Sequence, residues 1–288
     1  MKLQIAANAK INLTLHITGK LDNGYHTLDM VMQSVGLQDQ LTLTLTDTPA
    51  ITVTCSDDTL NGEDNLAFRA AQSFFDKIDN RKQGVTIYIE KHIPLAGGLG
   101  GGSADAAAVL LGLNHLFCEP LTLDELKELA LPLGADVPFC LVGGTCRATG
   151  IGENLEPLQP VQDGYVLLVK PCEKESTGKM YQKYDEIKGL QAEENCVIIS
   201  KMWSSDLADV AKNLTNDFLP LYEQREIPDT LNALLKGGAL GASLSGSGPT
   251  VFGLFYDEET AKQCAAQPSI QNRDHWIVPI CHEGTKLL

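Results

Sequence analysis

Several short stretches of the chain alternate apolar and polar residues. Leu41, Leu43 and Leu45 are separated by threonines, as are Ile51, Val53 and Cys55, and Val85, Ile87 and Ile89 flank Thr86 and Tyr88. A period of two sends side chains to opposite faces of an extended chain, so each stretch predicts a strand with one buried face. Pro94 closes the last of these runs, because it brings no N–H to a ladder. The opening MKLQIAANAKINLTLHI also alternates, and YVLLVKP near residue 165 predicts a fully buried strand. Other segments carry the helical period. NLAFRAAQSFFDKI predicts a helix with Asp64 as its cap, SADAAAVLLGLNHLF one with Ser103 at its start, and DELKELALPLG one capped by Thr122 or Asp124. TLNALLKGGA predicts a helix that stops at a Gly-Gly pair. Glu173–Glu194 is polar and helical in parts. Prolines and a glycine in ENLEPLQPVQDG mark a junction, so two domains are expected, 1–156 and 160–288. Strands and helices intermix without a regular βαβ rhythm, which predicts an α+β chain in two lobes.

Composition narrows the partners. The chain has 288 residues, 43% hydrophobic and 20% charged, with a net charge of −15. So acidic a surface disfavours nucleic acid, whose binding rests on Lys and Arg neutralising phosphates. A small anion remains possible where a local positive site overcomes the global field. No run of roughly 18 apolar residues predicts a membrane span, and the N-terminus lacks a secretory apolar core, so a cytoplasmic protein is expected. Eight cysteines occur without a C-x-x-C pair or metal-ligand spacing, which predicts reduced thiols and no protein-held metal.

The stretch PLAGGLGGGSADAAA, residues 94–108, sets five glycines against a strong helix former. A tight turn needs one or two. Five imply that the backbone itself approaches something, and backbone N–H groups ahead of a helix N-terminus form a phosphate cradle. A Walker loop fails because Ser103 stands where its lysine belongs, and a dinucleotide fingerprint is met only loosely. The run does resemble a motif of the GHMP kinases, P-x-x-x-G-L-G followed by small residues. AANAKINLTLHITGKLDNGYHTLDMVMQSVGLQD near the start and ALGASLSGSGPTVFGLF near the end resemble two further motifs of that superfamily. D-N-G-Y-H and GADVPFCLVGGTCRATGIGENLEPL resemble the branch that phosphorylates a cytidine diphosphate methylerythritol. Asn8 departs from a usual proline, and Gly98 and Ala104 from the common Ala and Ser.

The resemblance implies an N-terminal βα nucleotide lobe with a left-handed βαβ crossover, a ferredoxin-like C-terminal lobe, and a site in the cleft between them. It implies ATP and Mg²⁺, a small-molecule alcohol as acceptor, and a monomer or weak homodimer. Asp136 is implied as the base for the acceptor hydroxyl, although an aspartate before such a break is more commonly a cap. Lys10 is implied as its partner facing the transferring phosphate, although a strand lysine can simply snorkel outward. Around ATP, the resemblance implies that Pro94, Leu95 and Ala96 lead into the loop and that Gly97, Gly98, Leu99, Gly100, Gly101 and Gly102 wrap the phosphates. It implies that Ser103 and Ala104 open the helix and that Asn65 borders the adenine. Asp105 is read as a first-turn acid without chemistry. Asn12 is implied at the acceptor's diol, Tyr25 on the face of the cytosine ring and His26 on its edge. Tyr181, with Tyr184 as rival, is implied as the second aromatic face. The alternatives are another kinase of the superfamily and a catalytically dead binding protein.

Overall fold

The computed structural model describes residues 1–80, 82–173, 175–188 and 203–288. Cys196 and the end of the polar stretch expected over Glu173–Glu194 lie outside them.

Two strands far longer than the alternation suggests organise the first lobe. β1 (Lys2–Lys20) and β2 (His26–Thr46) run 19 and 21 residues as one antiparallel hairpin. The turn falls at Leu21–Tyr25, where Gly24 takes a positive φ of 87° that favours glycine. Each long strand changes neighbours along its length. Register shifts near Asn8 and Asn12 in β1 bend the hairpin. β3 (Ile51–Cys55), α1 (Leu66–Lys77) and β4 (Gly84–Glu90) then form a strand–helix–strand crossover, with β3 and β4 parallel. β4 pairs with the second half of β2. α1 starts at Asn65, whose side chain accepts from Ala67 N, so Asn65 and not Asp64 is the cap.

α2 (Gly101–Leu116) lies against β1 and β2, with α1, α3 (Leu123–Ala130) and α4 (Val137–Val142) around it. It is buried almost all round: Ala104 to Leu110 are all buried, and so are Leu113 and Leu116. Gly112 lets it touch the sheet, since a Cβ there would lie 2.2 Å from Ile5 Cδ1. Of the two candidates, Thr122 caps α3, in a reciprocal pairing with Glu125. β5 (Thr145–Gly150) pairs with the first half of β2, and β6 (Asn154–Pro157) with β5.

The second lobe begins with β7 (Tyr165–Lys170), the expected buried strand. α5 (Thr177–Lys188), α6 (Leu207–Lys212) and β8 (Thr215–Asn216) follow. Then come α7 (Glu226–Lys236), β9 (Gly241–Leu244), β10 (Val251–Phe255), α8 (Glu258–Ala265) and β11 (Asp274–Pro279). The sheet order β11-β7-β10-β9, all antiparallel and with α7 and α8 packed on it, is the ferredoxin-like arrangement. The two sheets are linked by residues 158–164, between β6 and β7. The lobes nevertheless interlock: β8 pairs with β1, and the final strand β12 (Thr285–Leu287) returns to β1 at Ile5–Ala7. The seven described cysteines are free, and no helix is long and apolar enough to cross a membrane among the described residues.

Candidate active site

A cleft of about 920 Å³ opens where the hairpin, the glycine loop, α4, α5 and the β9–β10 loop meet. Its size suits a small-molecule site. Lys10 and Asn12 enter from β1 as i and i+2 residues, so both face the cleft while Ile11 and Leu13 go to the core. Lys10 is buried. Its Nζ lies 3.2 Å from Asp136 Oδ2 and donates to Asn12 Oδ1 at 2.8 Å. Asp136 sits at the start of α4, where Pro138 occupies the first turn, but its side chain makes no cap bond there. The carboxylate therefore faces Lys10 and keeps 30% of its side chain exposed.

The glycine loop is clamped from both sides. Lys10 N donates to Leu99 O, and from the β9–β10 loop Ser245 Oγ donates to Gly98 O and Thr250 N to Gly97 O. At Gly98 φ is +78° and a Cβ would sit 2.4 Å from Ser245 O, so only glycine fits without displacement. α2 then starts from Gly100, itself left-handed with φ 73°, and no side chain caps it. Ser103, expected at the cap, lies inside the first turn. The opening N–H groups of α2 are left with the helix's positive end directed at the cleft that Gly100–Ser103 line.

At the far end, Tyr25 stands 62% exposed at the hairpin tip. His26 is buried, and its ring lies 4.5 Å from that of Tyr181, nearly parallel. Thus one face of Tyr181 is covered by the imidazole. Burial, with Asp136 adding to it, pushes the Tyr181 phenol up to about 12, so it stays protonated. Tyr181 lines the cleft, whereas Tyr184 directs its hydroxyl to Ile17 O.

Most of the expected residues thus meet in one cleft, from Lys10, Asn12, Tyr25 and His26 through Pro94–Ser103 to Asp136 and Tyr181. Ala104 is buried behind the helix start. Asn65 does not line the cleft: it caps α1 and donates to Leu60 O, while its neighbour Leu66 reaches the cleft wall. Two groups were not expected. Asp185, one helical turn beyond Tyr181, contacts both Lys20 and His26. Lys91 lies between Asp39 and Asp105, beneath the loop. Asp105 was legible as an acid facing the apolar side of an alanine-rich helix, a position where a carboxylate needs a partner.

Comparison with known proteins agrees with this geometry. Residues 65–144 match the family described as GHMP kinases N terminal domain, and residues 198–273 that described as GHMP kinases C terminal. A 4-diphosphocytidyl-2-C-methyl-D-erythritol kinase of Clostridium tetani is 40% identical over 265 residues, 91% of this chain and 94% of its own. The kinase of that name from Geobacter sp. (strain M21) is 42% identical over 269 residues, covering 92% of this chain and 94% of its own. The chain belongs to the 4-diphosphocytidyl-2-C-methyl-D-erythritol kinase family of GHMP kinases. A crystal structure of 4-(cytidine 5'-diphospho)-2C-methyl-D-erythritol kinase superposes with a TM-score of 0.77 at 28% identity, over 97% of this chain and 99% of its own. A homoserine kinase from Cytophaga hutchinsonii shares the fold, with a TM-score of 0.75 at 20% identity over 100% of this chain and 97% of its own.

Proposed function

We propose that this protein transfers the γ-phosphoryl group of ATP to the 2-hydroxyl of 4-diphosphocytidyl-2-C-methyl-D-erythritol. The products are the 2-phosphate and ADP, a step of the non-mevalonate route to isoprenoid precursors. The observation that carries this reading is the Lys10–Asp136 pair, 3.2 Å apart beside the uncapped N-terminus of α2. Phosphoryl transfer asks mainly for positioning and for charge stabilisation. The backbone N–H groups of Gly101, Gly102 and Ser103 bind phosphate oxygens. Lys10 supplies the fixed cation that a Walker loop takes from its lysine. Asp136 orients the acceptor hydroxyl and takes its proton as the oxygen–phosphorus bond forms and the bond to the β-phosphate oxygen breaks. No covalent enzyme intermediate is needed.

Asn12 holds Lys10 through its oxygen. Among the described residues its amide nitrogen is held only by the Met30 thioether, a weak acceptor that a substrate hydroxyl can replace. Tyr25 offers an open aromatic face to a base, His26 a hydrogen-bonding edge, and Tyr181 sets the plane of His26. Leu66 borders the adenine with Asn65 fixing the helix start behind it. Among the described residues no three His, Cys, Asp or Glu side chains gather as a cation cage. Mg²⁺ takes most of its oxygens from phosphates and water, so it would fit here as a companion of the ATP phosphates, with Asp136 as the carboxylate able to hold it, and would neutralise their charge.

The test is ADP release with MgATP and three alcohols: the cytidine compound, homoserine and mevalonate. Turnover of the cytidine compound alone, lost in Asp136→Asn, supports the proposal. Turnover of another alcohol keeps the kinase and removes the base site at Tyr25 and His26. ATP binding without turnover of any of them overturns the reading.

A further inference from the structure

α5 presents Thr177, Tyr181 and Asp185 to the cleft, at the i, i+4, i+8 spacing of one helical face. Tyr181 has a place in the base site, but Asp185 has none yet. Its carboxylate spans the hairpin: one oxygen accepts from Lys20 Nζ, and the other lies 2.7 Å from His26 Nε2. Lys20 and His26 are directly opposed partners of β1 and β2, so a single acid ties both strands to α5 beside the exposed Tyr25. The hydrogen bond from Lys20, and after it that from His26, holds the Asp185 carboxyl below the usual carboxylate range. An ionised carboxylate only accepts, so the proton of this contact resides on His26 Nε2.

The imidazole is thus fixed twice, in plane by Tyr181 and in tautomer by Asp185. In the neutral ring, a proton on Nε2 makes Nδ1 a lone-pair acceptor. Nδ1 has no hydrogen-bonding partner among the described residues and is not a sealed atom, in a side chain that lines the cleft. We propose that Asp185 is a positioning residue for base recognition, holding His26 so that Nδ1 accepts from an exocyclic amino group. The site then favours an amino-bearing pyrimidine ring over one with a carbonyl oxygen at that position, which would set two acceptors face to face. This rests on the nucleotide-alcohol reading above and adds the element that sets its selectivity.

The experiment measures calorimetric affinities for CDP and UDP, the KM and kcat for both substrates, and the ¹⁵N resonances of the His26 ring. It compares the unaltered protein with Asp185→Asn and Asp185→Glu. The unaltered protein is expected to show Nε2 protonated and CDP preferred. In D185N the amide can donate to Nε2, so the tautomer shifts and the CDP-to-UDP preference falls about tenfold, the scale of one hydrogen bond. The KM for the cytidine alcohol rises by a similar factor, while kcat and the KM for ATP hold. D185E restores most of the preference. If Asp185 only anchors the helix, D185N weakens both nucleotides equally with an unchanged tautomer, and the proposal is overturned. A ring protonated on Nδ1 in the unaltered protein overturns it as well. Failure of the functional reading looks different: CDP binds in preference to UDP, D185N abolishes the preference, and yet the cytidine alcohol is not phosphorylated.

Discussion

Two lysine–carboxylate groups flank the glycine loop, and they differ in access. Lys10 faces one acid, Asp136, which remains 30% exposed to the cleft. Lys91 faces two, Asp39 and Asp105, and both acids are buried, with side-chain exposures of 0% and 4%, although Lys91 itself reaches the cleft wall. Asp39 also accepts from His92 N and Ile93 N, so it holds the chain entering the loop. Asp105 holds the helix leaving it. The sealed group therefore ties both ends of the phosphate loop to β2, and the open pair is left to meet the substrate. The same residue types take different roles because only one group presents its carboxylate to the cleft.

Burial sets the charge state of the sealed group. Desolvation, with repulsion from Asp39 added, pushes Asp105 up to about 7 against the pull of Lys91, and its Oδ1 has no partner. Desolvation pulls Lys91 down, but the two acids outweigh it and hold the ammonium above its ordinary range. One lysine thus faces two buried carboxyls, and Asp105 is the one that burial pushes toward its neutral form.

The largest expected effect tests the open pair. Asp136→Asn should lower kcat roughly 10²–10⁴-fold, the span of a positioned acid–base group, with an unchanged melting temperature. ADP-release assays and a thermal melt check both halves, and an equal loss of stability would make Asp136 a structural acid. Lys91→Met should do the reverse. It leaves two buried carboxyls without a countercharge and costs about 3–5 kcal/mol, read by urea titration, while the residual folded fraction keeps its kcat. Gly98→Ala forces a Cβ against Ser245 O at a left-handed φ, costing about 1–3 kcal/mol. Its activity loss should fall on the KM for ATP.

A smaller effect separates the two groups by pH. The unfolded Asp105 carboxyl ionises near its ordinary value of about 4, whereas the folded one holds its proton up to about 7. This group therefore lowers stability progressively as pH rises between those values and contributes no further slope above them. Asp105→Asn should flatten that part of the stability profile and leave kcat in place, and an unchanged profile would mean that Asp105 is not the titrating group. The smallest effect lies outside both groups. Thr122→Ala removes a cap worth about 1 kcal/mol and should leave turnover unchanged.

Much of this was legible from the chain. The strands at 41–45, 51–55 and 85–89 appear where the alternation placed them, within or at β2, β3 and β4. The length of β1 and β2 was not legible. Both are buried on two faces for much of their course, so the alternation dissolves into continuous burial from Ile5 to Leu15. Helix starts were misread by one to three residues, at Asn65 and at Gly100. Cap choice depends on which residue leaves the helical conformation, and neighbouring polar residues compete for that place. Asp185 escaped notice because its partners, Lys20 and His26, lie more than 150 positions away, and no local pattern marks such a contact.

The sequence by itself determined the two-lobed α+β class and a glycine-rich stretch suited to a phosphate cradle, whereas Lys10 and Asp136 were marked only by the resemblance to GHMP kinases. The class and the stretch rest on local rules: period, turn chemistry, and the need of a backbone that approaches phosphate to carry no side chains. Tertiary structure alone decided which lysine's carboxylate partner is open to the cleft and which are buried, that Tyr181 backs His26, and that a single acid on α5 contacts that ring. Each of these depends on burial and on distance across the fold, and neither quantity exists until distant segments have packed together.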